Sequence, residues 1–217
     1  MTDLHNPFRV SAADLGPGTL LPLDPESAGK IASALVGMDP WKRLGYGESG
    51  LLAYLTRTDP ALARYRLMLG QTLAGMVCIR YPWLRGPSLE LIGILDGFQG
   101  NGMGSAVLGW MEEGARGVCP NLWTTVSSFN HRAVAFYEKH GFREVVVLKD
   151  FLKQGEDEVL LRKQIAAPGL WAPSPSTSSR ARGGKHQGRE DAPGRKSSAS
   201  QRPCARIPFT PSRSGGS

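Results

Sequence analysis

Residues 89–105 read Leu-Glu-Leu-Ile-Gly-Ile-Leu-Asp-Gly-Phe-Gln-Gly-Asn-Gly-Met-Gly-Ser, and no other stretch restricts the fold so tightly. Leu89–Leu95 is nearly all apolar and reads as a buried strand. Glycines then crowd the chain up to the start of an amphipathic segment. Glycine lets a backbone take positive φ and approach a ligand closely. The first turn of a helix adds unpaired N–H groups and the positive end of its dipole. The segment is therefore either a cradle for a phosphate or pyrophosphate, or a plain strand-to-helix turn. Two well-known cradles do not fit. A dinucleotide fingerprint G-x-G-x-x-G begun at Gly100 ends on Ser105, and begun at Gly102 it runs into the apolar helix. A Walker A loop needs Gly-Lys-Ser/Thr, whereas Gly102 precedes Met103.

The rest of the first 165 residues alternates between strand and helix signals. Gly18–Leu23 reads as a strand, Ser27–Met38 as a helix with Ile31, Ala34 and Leu35 on one face, and Glu48–Arg57 as a second helix after a loop at Trp41–Gly47. Asp39-Pro40 ends the first helix. Ala63–Leu69, Thr72–Tyr81 and Leu89–Leu95 are successive strands, the first two joined at Gly70-Gln71 and the third set off by Pro82–Pro87. Residues 103–116 place Met103, Val107, Leu108 and Met111 at helical spacing. A strand at Leu122–Val126 and a helix at Asn130–His140, capped by Gly141, follow. Strands at Phe142–Leu148 and Glu158–Arg162 close the series. The central meander argues against an all-parallel sheet, and the later β-α-β-α-β run calls for parallel pairing. The expected fold class is mixed α/β, a central mixed sheet flanked by helices.

Charge divides the chain in two. Residues 1–165 carry 17 Lys and Arg against 17 Asp and Glu, while residues 166–217 hold 9 against 2 and so the whole excess of +7. That second segment also holds 10 Ser, 7 Pro and 7 Gly, too little apolar area to offset ordering entropy. We expect a folded domain over 1–165 and a disordered basic tail over 166–217. Contact with nucleic acid is expected only through that tail. Cys78, Cys119 and Cys204 form no C-x-x-C pair, and His5, His131, His140 and His186 form no metal-spaced cluster. Reduced thiols, no metal and a cytoplasmic location are expected. No basic-then-apolar leader opens the chain, and no apolar run is long enough to span a membrane. The chain is expected as one copy or a pair.

Gln99-Gly100-Asn101-Gly102-Met103-Gly104 matches the Gln/Arg-x-x-Gly-x-Gly/Ala signature of the GNAT superfamily of N-acetyltransferases. Twenty-six residues past Gly104, Asn130-His131-Arg132-Ala133-Val134-Ala135-Phe136-Tyr137-Glu138-Lys139-His140-Gly141-Phe142 carries that family's second motif, Asn-x-x-Ala-x-x-Phe-Tyr-x-x-x-Gly-Phe, in full. Over roughly residues 18–165 the chain resembles these enzymes, the ribosomal-protein alanine acetyltransferases among them.

The resemblance implies acetyl-CoA as cosubstrate, with its pyrophosphate on Gln99, Gly100, Asn101, Gly102, Met103 and Gly104. Its pantetheine arm would lie along Ile94 and Leu95, beside Gly93, and near Asn130. Where the family often has Pro, this chain has Asp96, expected to point away. Tyr137 would stand near the thioester sulfur as general acid toward the leaving thiolate. Backbone N–H groups at Ile94 or Leu95 would stabilise the oxyanion. The family fixes no general base by motif. Glu90, on the strand leading into the turn, is the first candidate, against a plain solvent-facing role. Ser127 and Ser128 are candidates for orienting water or acceptor. Trp41 and Tyr46, with Trp83 and Phe151, are candidates for lining the acceptor slot, against simply capping the core. Glu156-Asp157-Glu158 would attract a cationic acceptor or serve as a solvated hairpin turn. The expected activity is direct acetyl transfer to a primary amine, of a protein N-terminus or a small molecule. The alternative is a non-catalytic acyl-CoA-binding module whose basic tail meets a partner or nucleic acid.

Overall fold

The computed structural model describes residues 6–165. The expected tail at 166–217 and Cys204 lie outside them. Two short strands, β1 (Ala13–Asp14) and β2 (Thr19–Pro22), lead into helix α1 (Pro25–Leu35). Asp24 caps α1, its carboxylate accepting the Ser27 N–H at 2.8 Å, with Pro25 preset at the first turn. Ala28, Ile31, Ala32 and Leu35 recur at three- and four-residue spacing and are all buried. The helix stops at Leu35, earlier than the expected Met38, because the chain tightens there into a turn in which Met38 N–H bonds Leu35 O at 3.0 Å. A single helical turn, α2 (Trp41–Leu44), occupies the expected loop and ends at Gly45, φ 80°. Helix α3 (Glu48–Thr56) follows.

The meander forms as expected from β3 (Leu62–Leu69), β4 (Thr72–Trp83) and β5 (Gly86–Ile94), all antiparallel. The expected break at Pro82–Pro87 shrinks to a tight turn, with Leu84 and Arg85 at positive φ. After helix α4 (Met103–Ala115) come β6 (Asn121–Ser127), helix α5 (His131–Lys139), β7 (Arg143–Lys153) and β8 (Glu156–Gln164). The sheet order is β1-β2-β3-β4-β5-β6-β8-β7. Parallel pairing is confined to β5 and β6; β8 then inserts between β6 and β7, antiparallel to both.

Alternation along β4 builds a core on each face of the sheet. Met76 and Cys78 pack with Ile31, Leu35, Leu51 and Leu55 of α1 and α3. Val77 and Ile79 pack with Met103, Val107 and Met111 of α4 and with Tyr137 and Phe142 at the α5 end. A strand covered on both sides reads as an unbroken buried run, which β4 does from Ala74 to Ile79. The fold is the mixed α/β sheet flanked by helices. Among the described residues no helix is long and apolar enough to cross a membrane.

Candidate active site

The parallel pair at the middle of the sheet is short. Ser88 meets Trp123 and Leu89 meets Thr124, and there the register ends although both strands run on. Two twisted strands that stop pairing splay apart. A cavity of about 480 Å³ fills the opening, with Leu89 to Ile92 on one wall and Thr124 to Ser127 on the other.

At the far end of β5 the backbone groups divide. Leu95 N–H donates to Ala74 O on β4 at 2.9 Å. In an antiparallel ladder, neighbouring residues alternate the side on which they bond. Ile94 N–H is thus turned away from β4, toward the splayed side, while the Leu95 N–H expected to meet an oxyanion is already engaged. Gly93 has a packing reason of its own: a Cβ there would stand 2.9 Å from Leu35 Cδ2 and 3.4 Å from Trp41 Cη2.

The glycine turn follows directly. Gly100 and Gly102 take φ of 84° and 77°, with nothing within 4 Å of where a Cβ would sit, so backbone conformation and not crowding calls for glycine. Ala106 N–H is the first to find its helical partner, Gly102 O at 3.0 Å, which leaves the N–H groups of Met103, Gly104 and Ser105 at the open start of α4. Gly104 sits against Phe136, 3.2 Å from Cζ to a built Cβ, which locks α4 to α5. Gln99 braces the turn: its amide nitrogen donates to Ile94 O at 3.2 Å and Asp96 Oδ1 at 3.3 Å, and its oxygen accepts from Arg132 at 3.3 Å. Asp96 is exposed. Asn101 lies on the rim, its side-chain nitrogen 3.4 Å from Phe98 O. Arg132 is a cation beside this turn that sequence reasoning missed; it stands in a variable slot of the Asn130–Phe142 motif.

Helix α5 carries the second motif into the cavity. Asn130 caps it, Oδ1 accepting the Ala133 N–H at 3.1 Å, and lines the cavity as well. One face of the helix turns Ala133 and Tyr137 inward. Tyr137 is 5 % exposed. Burial pushes its phenol up to about 12, the Thr124 hydroxyl working weakly the other way.

The carboxylates differ. Glu90 lines the cavity, yet Arg80 binds it through both Nε and Nη2, and the Tyr54 hydroxyl donates to it at 2.9 Å. Glu158, on β8 opposite Ser127 of β6, is 3 % exposed and also lines the cavity. Ser127 Oγ donates to its carboxylate. Burial pushes the Glu158 carboxyl above its ordinary value, and the Ser127 hydrogen bond opposes the rise.

Trp41, Tyr46, Trp83 and Phe151 all border the same cavity. Ser128 does not; its N–H extends the ladder to Asp157 O at 2.9 Å. The structure thus brings Trp41, Tyr46, Glu90, Ser127, Asn130 and Tyr137 together and sets the Gln99–Gly104 turn at the adjoining end of β5. Tyr54, Ser88, Thr124, Thr125 and Glu158 add to the polar lining. Such a site can hold an anionic ligand on the turn, seat an extended arm along the splayed strand, and place a phenol and a carboxylate around an apolar chamber.

Comparison with known proteins agrees with this architecture. No curated protein sequence matches the chain. Among solved structures, an acetyltransferase from Thermus thermophilus is 23 % identical, with TM-score 0.53, covering 70 % of this chain and 100 % of its own. The ribosomal-protein-S18-alanine N-acetyltransferase from Escherichia coli is 20 % identical, with TM-score 0.54, covering 71 % and 99 %. NAA60 from Arabidopsis thaliana, solved in complex with a bisubstrate analogue, is 16 % identical, with TM-score 0.54, covering 68 % and 98 %. At these identities the likeness is one of fold. The family model described as "Acetyltransferase (GNAT) family" matches residues 32–142, a segment that holds the glycine turn, the splayed strands and Tyr137. The chain belongs to the GNAT acetyltransferase family.

Proposed function

We propose that the protein is an acetyl-CoA-dependent N-acetyltransferase that moves an acetyl group directly to a primary amine, of a protein N-terminus or a small molecule. The observation that carries this is the position of Tyr137, buried on the wall of a cavity that opens where β5 and β6 part. Family membership supports the reaction class.

The residues present fit the cosubstrate. Unpaired N–H groups and positive-φ glycines at Gly100–Gly104 suit a pyrophosphate. Ile94, on the splayed side of β5, offers its backbone to an extended arm. Acetyl-CoA supplies the acyl group as a thioester. Tyr137 stays protonated at neutral pH, so its hydroxyl would serve as a hydrogen-bond donor to the leaving sulfur. Full proton transfer from a phenol near 12 to an ordinary thiolate near 8.5 is uphill by about 5 kcal/mol. Tyr137 therefore acts first by hydrogen bonding as charge builds on sulfur. Glu90 is fixed by Arg80 as a structural carboxylate at the cavity wall, which leaves proton abstraction to another group. We assign the enzyme to residues 1–165, with 166–217 as an accessory tail, and place it in the cytoplasm, in keeping with the buried Cys78 and Cys119 thiols, which are free among the described residues.

Thermal unfolding of the full chain tests the cosubstrate. Acetyl-CoA at about 100 times its Kd stabilises by about 2.7 kcal/mol, a rise of roughly 5–10 °C for a domain of this size. NADH and ATP are expected to give no such rise, and removal of residues 166–217 is expected to leave it unchanged. A folded protein insensitive to both acetyl-CoA and coenzyme A would contradict the proposal.

A further inference from the structure

Three consecutive carboxylates open β8, and the fold treats the third differently. Glu156 meets the Arg43 guanidinium at 2.9 Å, and Asp157 meets Lys149 Nζ at 2.6 Å. Glu158 forms no ion pair among the described residues. It is 3 % exposed, lines the cavity, and takes its hydrogen bond from the neutral Ser127 hydroxyl. The other carboxylate on the cavity wall, Glu90, is already matched by Arg80. Among the described residues, the chamber thus holds one negative charge without a counterion.

A buried carboxylate lacking a cation is costly to keep. The cost is offset when a ligand brings the cation. The surroundings describe that ligand. Trp41, Tyr46, Trp83 and Phe151 border the cavity. Aromatic faces attract an ammonium and pack against apolar carbon. One unmatched charge in an aromatic chamber suits one ammonium on an apolar body. A polycation would bring charges that the chamber leaves unanswered.

Resting on the acetyltransferase reading above, we propose that the acceptor is a primary amine with a single positive charge next to an apolar group, and that Glu158 receives this ammonium and removes its proton. The ammonium gives one proton to the Glu158 carboxylate and becomes a neutral amine. Its nitrogen bonds the acetyl carbon, the carbon–sulfur bond breaks, and the electron pair leaves with sulfur. The Tyr137 hydroxyl donates a hydrogen bond to the departing thiolate, and the extra proton of the new amide nitrogen passes to sulfur through that hydroxyl, which ends as it began. Glu158 returns its proton to solvent, so the turnover yields amide, thiol and one proton. The raised proton affinity of Glu158 agrees with this role.

The test uses the full chain at saturating acetyl-CoA, with phenethylamine as the singly charged apolar amine and spermine as the polycation. Wild-type kcat/KM is expected to favour phenethylamine at least tenfold. Glu158→Gln is expected to lower phenethylamine turnover at least 100-fold while the thermal shift with acetyl-CoA stays at the wild-type value. If wild type shows no acetyl-CoA shift, the acetyltransferase reading itself falls, and this inference with it. If wild type binds acetyl-CoA but prefers spermine, turns over neither amine, or loses nothing on Glu158→Gln, this inference alone is overturned. Should Glu158→Gln not fold, Glu158→Asp decides. Its shorter carboxylate is expected to keep the acetyl-CoA shift and lose at least tenfold in turnover, and wild-type turnover would overturn the inference.

Discussion

Arg80 grips Glu90 at two points between β4 and β5: its Nε faces one carboxylate oxygen, and its Nη2 stands 3.0 Å from the other. Asp59 shares the same guanidinium at 3.1 Å. This pairing separates two carboxylates of one cavity by charge balance: Glu90 is matched by Arg80, and Glu158 has no ion-pair partner among the described residues.

Glu90→Gln is therefore expected to act on stability more than on chemistry. The pair is partly exposed, 21 % for Arg80 and 27 % for Glu90, so its loss should cost between the values of surface and buried pairs, about 1–3 kcal/mol. Thermal unfolding and steady-state kinetics read the two effects separately. A collapse of kcat with an unchanged melting temperature would return Glu90 to the role of base.

Gly102 tests the turn. Its φ of 77° puts any side chain in the left-handed region although space is open. Gly102→Ala is expected to cost roughly 1–2 kcal/mol and to shrink the acetyl-CoA thermal shift. A variant with the wild-type melting temperature and shift would show that the turn neither needs glycine nor holds the ligand.

Glu158 also has a signature in stability. Its folded-state pKa lies above its unfolded value. Between those two values the native state binds more protons than the unfolded state, so stability falls as pH rises through the window. Glu158→Gln removes that penalty. The variant is expected to gain melting temperature relative to wild type at pH 8 and to lose this gain by pH 4. Melting curves at both pH values check it. A gain that grows toward low pH would reverse the sign and contradict the buried, unmatched carboxylate.

Much of this site was legible beforehand because its pieces are local. The Gln99–Gly104 and Asn130–Phe142 runs each lie within one turn or one helix, where spacing along the chain is spacing in space. What escaped depends on register and on distant partners. Glu158 meets Ser127 across 31 residues only because β8 inserts beside β6, and the bare acidic triplet gives no sign of which member turns inward. The Arg80 grip on Glu90 needs the β4–β5 hairpin to form first. Helix α2, four residues long, is too short for periodicity to reveal. The packing demand on Gly93 comes from Leu35, on a helix far away in sequence.

Arg132 is exposed and reaches the glycine turn through Gln99, 3.3 Å away. An exposed cation beside a bound anion contributes about 0.2–1 kcal/mol, a factor of roughly 1.5–5 in affinity. Arg132→Ala is expected to raise the KM for acetyl-CoA by about that factor, less at high salt, with kcat unchanged. A drop in kcat at constant KM would place Arg132 in the chemistry instead.

Acetyl transfer itself is the most direct test. The full chain is incubated with acetyl-CoA and a set of primary amines that includes phenethylamine and a short peptide with a free N-terminus. Released thiol and the mass gain of one acetyl group on the amine are read together, for wild type and for Tyr137→Phe. We expect thiol and acetylated amine in equal amounts with wild type, and a kcat lowered at least tenfold in Tyr137→Phe at unchanged acetyl-CoA binding. Tight acetyl-CoA binding without acetylation of any amine, or full activity in Tyr137→Phe, would contradict the account.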